Sequence, residues 1–299
     1  MESAEITTPG IDSRLSLEED QPAAPVRLAS RLARPTLIAG LLMILTAVLV
    51  AILAPFIAGY SPTTLTPSLL SPPSATNVFG TDELGRDLFS RVVFAARSSL
   101  SVAFGAVALA AVVGGLLGTV SGYFGRWVDT IIMRVLDILF AFPAILFAVA
   151  LVAALGPSIR NLILTIAILY APRFARVARG PTLAVKERDF VTSARALGAG
   201  DVPIIRAHIL PNILSPLIVE TSLSLTIALL TEAALSFLGL GIQPPDPSWG
   251  GMISAGRPYL LQAPWYVLFP GLAIMYCVLA FNLLGDGMND ALNPNRKDT

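Results

Sequence analysis

Residues 35–57 read PTLIAGLLMILTAVLVAILAPFI, a stretch without one charged side chain. About 20 mostly apolar residues in helical conformation cross the hydrocarbon core of a bilayer, so this segment is long enough to span. It is too long for the apolar region of a signal peptide, has no small-residue cleavage site, and lies behind a polar leader. The rest of the 299-residue chain agrees with it. Apolar residues make up 55% and charged residues 13%, against roughly 25% charged in soluble domains, and the mean hydropathy is +0.73. Too few charges are present to cover a water-exposed globule, which excludes a soluble enzyme and a disordered protein. The formal net charge of +0 provides no basic field for a polyanion, so no nucleic acid is expected as a partner.

Working outward, five more apolar stretches read as spans: Leu100–Tyr123, Ile131–Leu155, Ser158–Val177, Ile213–Leu238 and Trp265–Leu284. The expected fold class is therefore all-α, an integral membrane protein of six transmembrane helices. Residues 1–34, rich in Glu, Ser, Pro and Ala, read as a disordered tail. Residues 58–99 form the first outer connection. Within it Leu88, Val92, Val93 and Leu100, interleaved with Arg, predict an amphipathic helix lying at the interface. Residues 100–287 hold five spans and a cytoplasmic connection, 178–212, and residues 288–299 form a second tail. The outer connection 239–264 is dense in Pro and Gly and predicts no regular helix.

Lys and Arg set the orientation. With the N-terminus inside and six alternating spans, the inner side receives four basic residues in the leader, two between the second and third spans, seven in and near the 178–212 connection, and two in the final tail. The outer side receives five: Arg86, Arg91, Arg97, Arg160 and Arg257. The three-to-one bias predicts cytoplasmic termini. It also supports the short fourth span, whose removal would invert everything after it.

The polar residues leave few enzymatic options. Cys277 is the only cysteine and His208 the only histidine, so neither a disulfide nor a His/Cys metal site is expected. No G-x-x-x-x-G-K-[ST] phosphate loop is present, so this chain is expected to bind no cofactor, and any ATP and Mg belong to another chain. Gly198-Ala199-Gly200-Asp201 has the G-x-G-D form of intramembrane aspartyl proteases, which require a second carboxylate close by; Asp137 is the available one. Asp201, however, lies in a polar segment. Three acids fall within or at the ends of spans: Asp137, Glu220 and Glu232. A charge in the bilayer costs roughly 2.5–3.5 kcal/mol on insertion scales, so each faces a bundle interior or an aqueous path. A role in the translocation pathway or gating and a purely structural pairing both fit them. A self-contained secondary transporter is disfavoured, because ionisable groups are few and no inverted repeat with paired broken helices is visible.

The 178–212 connection is the most informative polar segment. Phe190–Leu197 predicts a short helix stopped by Gly198. Asp201 is expected to cap a second short helix that ends before Pro211. The first helix presents Phe190, Val191, Ala194 and Leu197 on one face. Docking of another protein and packing under the bundle are equally compatible with that spacing.

This segment resembles the EAA loop of ABC-importer permeases, E-A-A-x-x-x-G followed about nine residues on by I-x-L-P, although Ile and Leu are adjacent here. Thr192-Ser193-Ala194, Gly198 and Ile209-Leu210-Pro211 stand at the matching positions, with Thr192 and Ser193 in place of the usual Glu and Ala. Phe79-Gly80-Thr81-Asp82 with Gly85-Arg86-Asp87, Phe140-Ala141-Phe142-Pro143, and Leu235 to Gly241 followed by Pro244 to Gly250 are similar to the dipeptide/oligopeptide/nickel subfamily. The resemblance implies a type I (MetI-like) permease bundle of the C type in a bacterial inner membrane. It implies a B-type permease as partner, two ABC ATPase subunits or one fused ATPase, and an extracytoplasmic substrate-binding protein. Phe190, Val191, Thr192, Ala194, Leu197, Gly198, Asp201, Leu210 and Pro211 would couple to the ATPase. Peptides are the implied cargo, with nickel, haem or another small solute as alternatives.

Overall fold

The computed structural model describes residues 35–292, all helix and connecting loop, with no strand among the described residues. The helices are α1 (Pro35–Ile57), α2 (Leu88–Phe124), α3 (Arg126–Phe140), α4 (Ala144–Leu155), α5 (Ile159–Lys186), α6 (Asp189–Ala196), α7 (Asp201–Ile204), α8 (Leu210–Phe237), α9 (Trp249–Gly256) and α10 (Trp265–Leu292). Five helical stretches are long and apolar enough to cross a membrane; α3 and α4 together make a sixth, bent by 91°. The leader, residues 1–34, and the final residues 293–299 lie outside the described residues.

The bundle is organised on α2 and α5. Lipid tails are as apolar as Leu, so helices in a bilayer gain little from hiding apolar surface from one another, and close backbone packing takes over. Glycines spaced by four supply it. A Cβ on Gly114 would lie 2.2 Å from Ala171 O, one on Gly118 2.1 Å from Ala175 O, and one on Gly122 2.9 Å from Arg179 O. Glycine is the residue that permits this approach. A second seam joins α1 to α10, where Gly40 meets the backbone of Leu284 and Gly287 that of Leu37. Cys277, on α10, is buried.

Several sequence expectations change. α1 has the expected bounds. Residues 88–99 are not an interfacial helix but the first three turns of α2; Leu88, Val92, Val93 and Leu100 are all buried. The helix begins at Asp87, whose Oδ2 accepts from Ser90 N at 2.8 Å; its Arg91 is buried beside Asp82, while Arg97 is exposed. The third span is broken at Ala141–Pro143 because Pro143 offers no N–H and disfavours helical backbone in the residue before it. α5 runs on to Lys186 through Pro172 and Pro181. α10 continues past residue 287 to Leu292. The 239–264 connection does contain a helix, α9. Ser248 caps it, accepting from Gly251 N at 3.2 Å. Gly250 lets it sit on α8, where a Cβ would be 2.1 Å from Ala233 O.

The 58–87 connection folds into a cap around Asp82, which is fully buried. Asp82 Oδ1 accepts from the backbone N–H of Leu84 and Arg86, and Oδ2 receives Arg86 Nε at 2.6 Å. Arg91 Nε lies 3.4 Å from the same oxygen. Gly85 turns with φ +77°, and a Cβ there would sit 2.1 Å from Thr66 O. The Thr81-Asp82 and Gly85-Arg86-Asp87 motif is therefore the frame of this cap. Trp249 Nε1 donates to Val92 O at 3.0 Å and ties α9 to the same end of α2.

The glycine seam generates a differential prediction. Gly118→Val forces α2 from α5 and is expected to cost about 3 kcal/mol or more. Gly271→Ala, with nothing within 4 Å of its Cβ position, is expected to be neutral. Thermal unfolding midpoints of the detergent-purified variants check this; equal midpoints would remove the seam from the account.

Candidate functional site: the 187–212 loop and the charges beneath it

The segment after α5 holds the loop that the sequence marks. α6 ends as expected at Gly198, which has φ +87°. Gly198 N donates to Arg195 O and Ala199 N to Ala194 O, both at 3.0 Å. This is a Schellman closure, in which a left-handed residue satisfies the last carbonyls of the helix. Thr192 sits on the exposed side, its Oγ1 donating to Asp189 O at 2.9 Å.

The faces differ from expectation. Val191 is fully buried, in a small core with Tyr123, Ala178, Val185, Ile204, Ile209 and Ile213. It anchors the loop instead of being displayed with Phe190 and Leu197. Phe190 is 42% exposed, Leu197 89% and Val202 74%; Ala194 is intermediate. The outward surface is thus an apolar knob of Phe190, Leu197 and Val202 among charged residues. The Phe190 ring lies 5.6 Å from that of His208.

The second half of the loop does not end before Pro211. α7 passes into a π-helical turn, Ile205–Ile209, and then into α8 with Pro211 in its first turn. A proline ring clashes with the carbonyl four residues back, and the wider π turn makes room for it. Leu210 and Pro211 are exposed, and both belong to the span α8. Asp201 does not cap: Gly200 holds that position, and no side-chain cap bond is made. Instead Asp201 Oδ1 accepts from the Tyr123 hydroxyl at 2.7 Å, and Arg195 donates to the same hydroxyl at 3.3 Å.

The three acids expected in the spans, Glu220, Asp137 and Glu232, each find a hydrogen-bond partner. Arg173 Nε meets Glu220 Oε1 at 2.5 Å, and Ser224 Oγ donates to that oxygen at 2.8 Å. Arg176 reaches Asp137 at 2.6 Å and lies over the Phe140 ring at 4.1 Å. Glu232 is fully buried and accepts from Ser236 Oγ at 2.7 Å, while its Oε2 has no hydrogen-bond partner. Sequence reading missed a fourth acid, Asp129, which holds Arg179 in a two-bond fork at 2.6 and 2.5 Å and accepts from Ser121 Oγ at 2.5 Å. The signal was the spacing of Arg173, Arg176 and Arg179 along one helix. Steps of three residues rotate a row by about 60°, so Arg173 reaches α8 while the other two reach α3. The G-x-G-D reading gains nothing here: among the described residues, no hydrogen bond joins Asp201 to Asp137.

The sequence matches the family "Binding-protein-dependent transport system inner membrane component" over residues 114–298. The chain belongs to this family. Its matched region holds the glycine seam, the arginine row and the exposed loop. Among related proteins, a dipeptide transport system permease of Alkalihalophilus pseudofirmus is 48% identical over 87% of this permease and 86% of its own length. A di/tripeptide transport system permease of Pseudomonas aeruginosa is 44% identical over 87% and 88%. A probable D,D-dipeptide transport system permease of Escherichia coli is 44% identical over 87% and 88%. The inward-facing MetNI methionine ABC transporter superposes with a TM-score of 0.56, covering 69% of this permease and 98% of that chain at 17% identity; that likeness extends to the fold.

Removing one member of a buried pair leaves the other uncompensated. Arg173→Ala strands Glu220 and is expected to lower stability by about 1–3 kcal/mol, less than for a sealed pair because the Arg173 side chain is 39% exposed. Adding Glu220→Gln is expected to restore part of the loss. Thermal midpoints of the single and double variants measure the coupling, and simple additivity would mean that the pair does not act as a unit.

Proposed function

We propose that this chain is one of two transmembrane subunits of an ATP-driven importer for di- and oligopeptides. It sits in a bacterial inner membrane with both termini in the cytoplasm. The observation that carries the reading is the exposed knob of Phe190, Leu197 and Val202. It is fixed from behind by Val191 and terminated by the left-handed turn at Gly198. Exposed apolar side chains on a rigid, polar-flanked helix mark a docking element. In this reading the knob enters a cleft on an ABC ATPase, supplied as two subunits or one fused chain. A B-type permease forms the other half of the pathway, and a binding protein delivers solute to the outer cap. The names carried by the relatives favour peptides over nickel or haem as cargo.

The mechanism follows from rigidity. ATP and Mg on the partner ATPases drive their closure, and the knob transmits that displacement. The seam between α2 and α5 is backbone on backbone, so it moves as a body and rocks the pathway between inward-open and outward-open states. Thr192, where a carboxylate is usual in the pattern, contributes a hydroxyl already bonded to Asp189 O. Charge near the knob is supplied by Glu187 and Asp189 instead.

Leu197→Asp with Gly198→Val places a charge on the knob and forces a β-branched residue into φ +87°. Peptide uptake is expected to collapse, and co-purification of the ATPase to be lost, while the protein stays in the membrane fraction. Unchanged uptake would refute the docking role.

A further inference from the structure

The last turn of α2 touches α3, α5, α6 and α7. Ser121 Oγ donates to Asp129 on α3. Gly122 lies against Arg179 O on α5. Tyr123 reaches α6 through Arg195 and α7 through Asp201. Its ring is buried in the core that holds Val191, Ile204 and Ile209, and the Arg195 guanidinium sits 5.8 Å from the ring centroid. From the geometry we infer that Tyr123 is the positioning residue that locks the cytoplasmic loop to α2, making α2 the element that carries the loop's displacement through the membrane.

Three features favour this residue. First, the apolar packing of Val191 is non-directional and tolerates sliding. A hydroxyl that donates to one half of the loop and accepts from the other fixes both halves relative to the span. Second, both partners of that hydroxyl are ionisable, an aspartate and an arginine, and hydrogen bonds to charged groups are stronger than neutral ones. Third, α2 is unbroken over 37 residues, about 55 Å at 1.5 Å per residue. Its opposite end holds Arg91 and accepts Trp249 in the outer cap. A displacement entering at Tyr123 therefore reaches the outer cap along one stiff rod, without crossing the α3–α4 break.

This inference rests on the docking role proposed for the loop, and the experiment separates the two. The complete transporter is reconstituted in liposomes with its binding protein, and ATP hydrolysed per Ala-Ala dipeptide moved is measured. Tyr123→Phe removes only the hydroxyl. It is expected to raise that ratio about ten-fold or more, the size expected on losing one hydrogen bond to a charged group, with the assembled complex and its melting midpoint near wild type. Asp201→Ala is expected to do the same, Asp201→Asn, which keeps an acceptor oxygen, to stay near wild type, and the Tyr123→Phe/Asp201→Ala double variant to be no worse than either single. A wild-type ratio in Tyr123→Phe, or a ratio that changes only in step with lost assembly, would overturn the lock. In that case Leu197→Asp still loses the ATPase if docking is right; if Leu197→Asp retains the ATPase, the docking role itself fails.

Discussion

The structure depends on how closely two backbones approach. Gly114, Gly118 and Gly122 bring α2 against the carbonyls of Ala171, Ala175 and Arg179. In water a bundle of this size would be held mainly by hiding apolar side chains. In lipid that gain is largely absent, and dispersion between closely fitted surfaces replaces it. The seam also fixes the heights of the two helices relative to each other, because each glycine admits one carbonyl. Arg173, Arg176 and Arg179 are placed by the same register, and so are the acids they meet.

Several of the acids within this bundle are held by pairing with arginine. Asp82 gathers two arginines under the 58–87 cap, and Asp129 and Glu220 each take one on α5. Every such pair bridges separate segments or closes a turn, so neutralisation and tertiary placement are achieved together. At the end of the bundle that carries the loop, the Asp129–Arg179 pair and the Asp201 and Arg195 contacts converge on the final turn of α2. The loop that leaves this end is small, yet it is fixed by one apolar anchor and one polar lock, which differ in kind. An apolar contact supplies adhesion; a directional bond supplies orientation.

Much of this was legible in the residues, and the failures have physical causes. The span at 35–57 is uniform in hydropathy, so its limits follow from composition. The stop at Gly198 follows from glycine's tolerance of positive φ. The start of α2 was hidden because Arg86 and Arg91 imply water when read alone, and their neutralisation by Asp82 is a tertiary event. The helix at 249–256 was hidden because its glycines are helix breakers in isolation and packing devices against α8. The continuity from Asp201 into α8 was hidden because a π turn, which relieves Pro211, has no simple sequence mark. The inward turn of Val191 was missed because a heptad-like row does not say which of its members meets the neighbouring core. Asp129 and its arginine were missed because only the acids of apolar stretches attracted notice.

The buried state of Cys277 has a practical consequence. The lone thiol of the chain lies among Ile44, Leu100, Phe104 and Phe281, shielded from hydrophilic maleimides. The unmodified protein is therefore already a silent background for site-directed labelling. Cysteines introduced one at a time along the 58–87 cap or the knob of Phe190, Leu197 and Val202 would report sidedness and distance, through spin or fluorophore pairs, without first stripping a native sulfhydryl from the helix core.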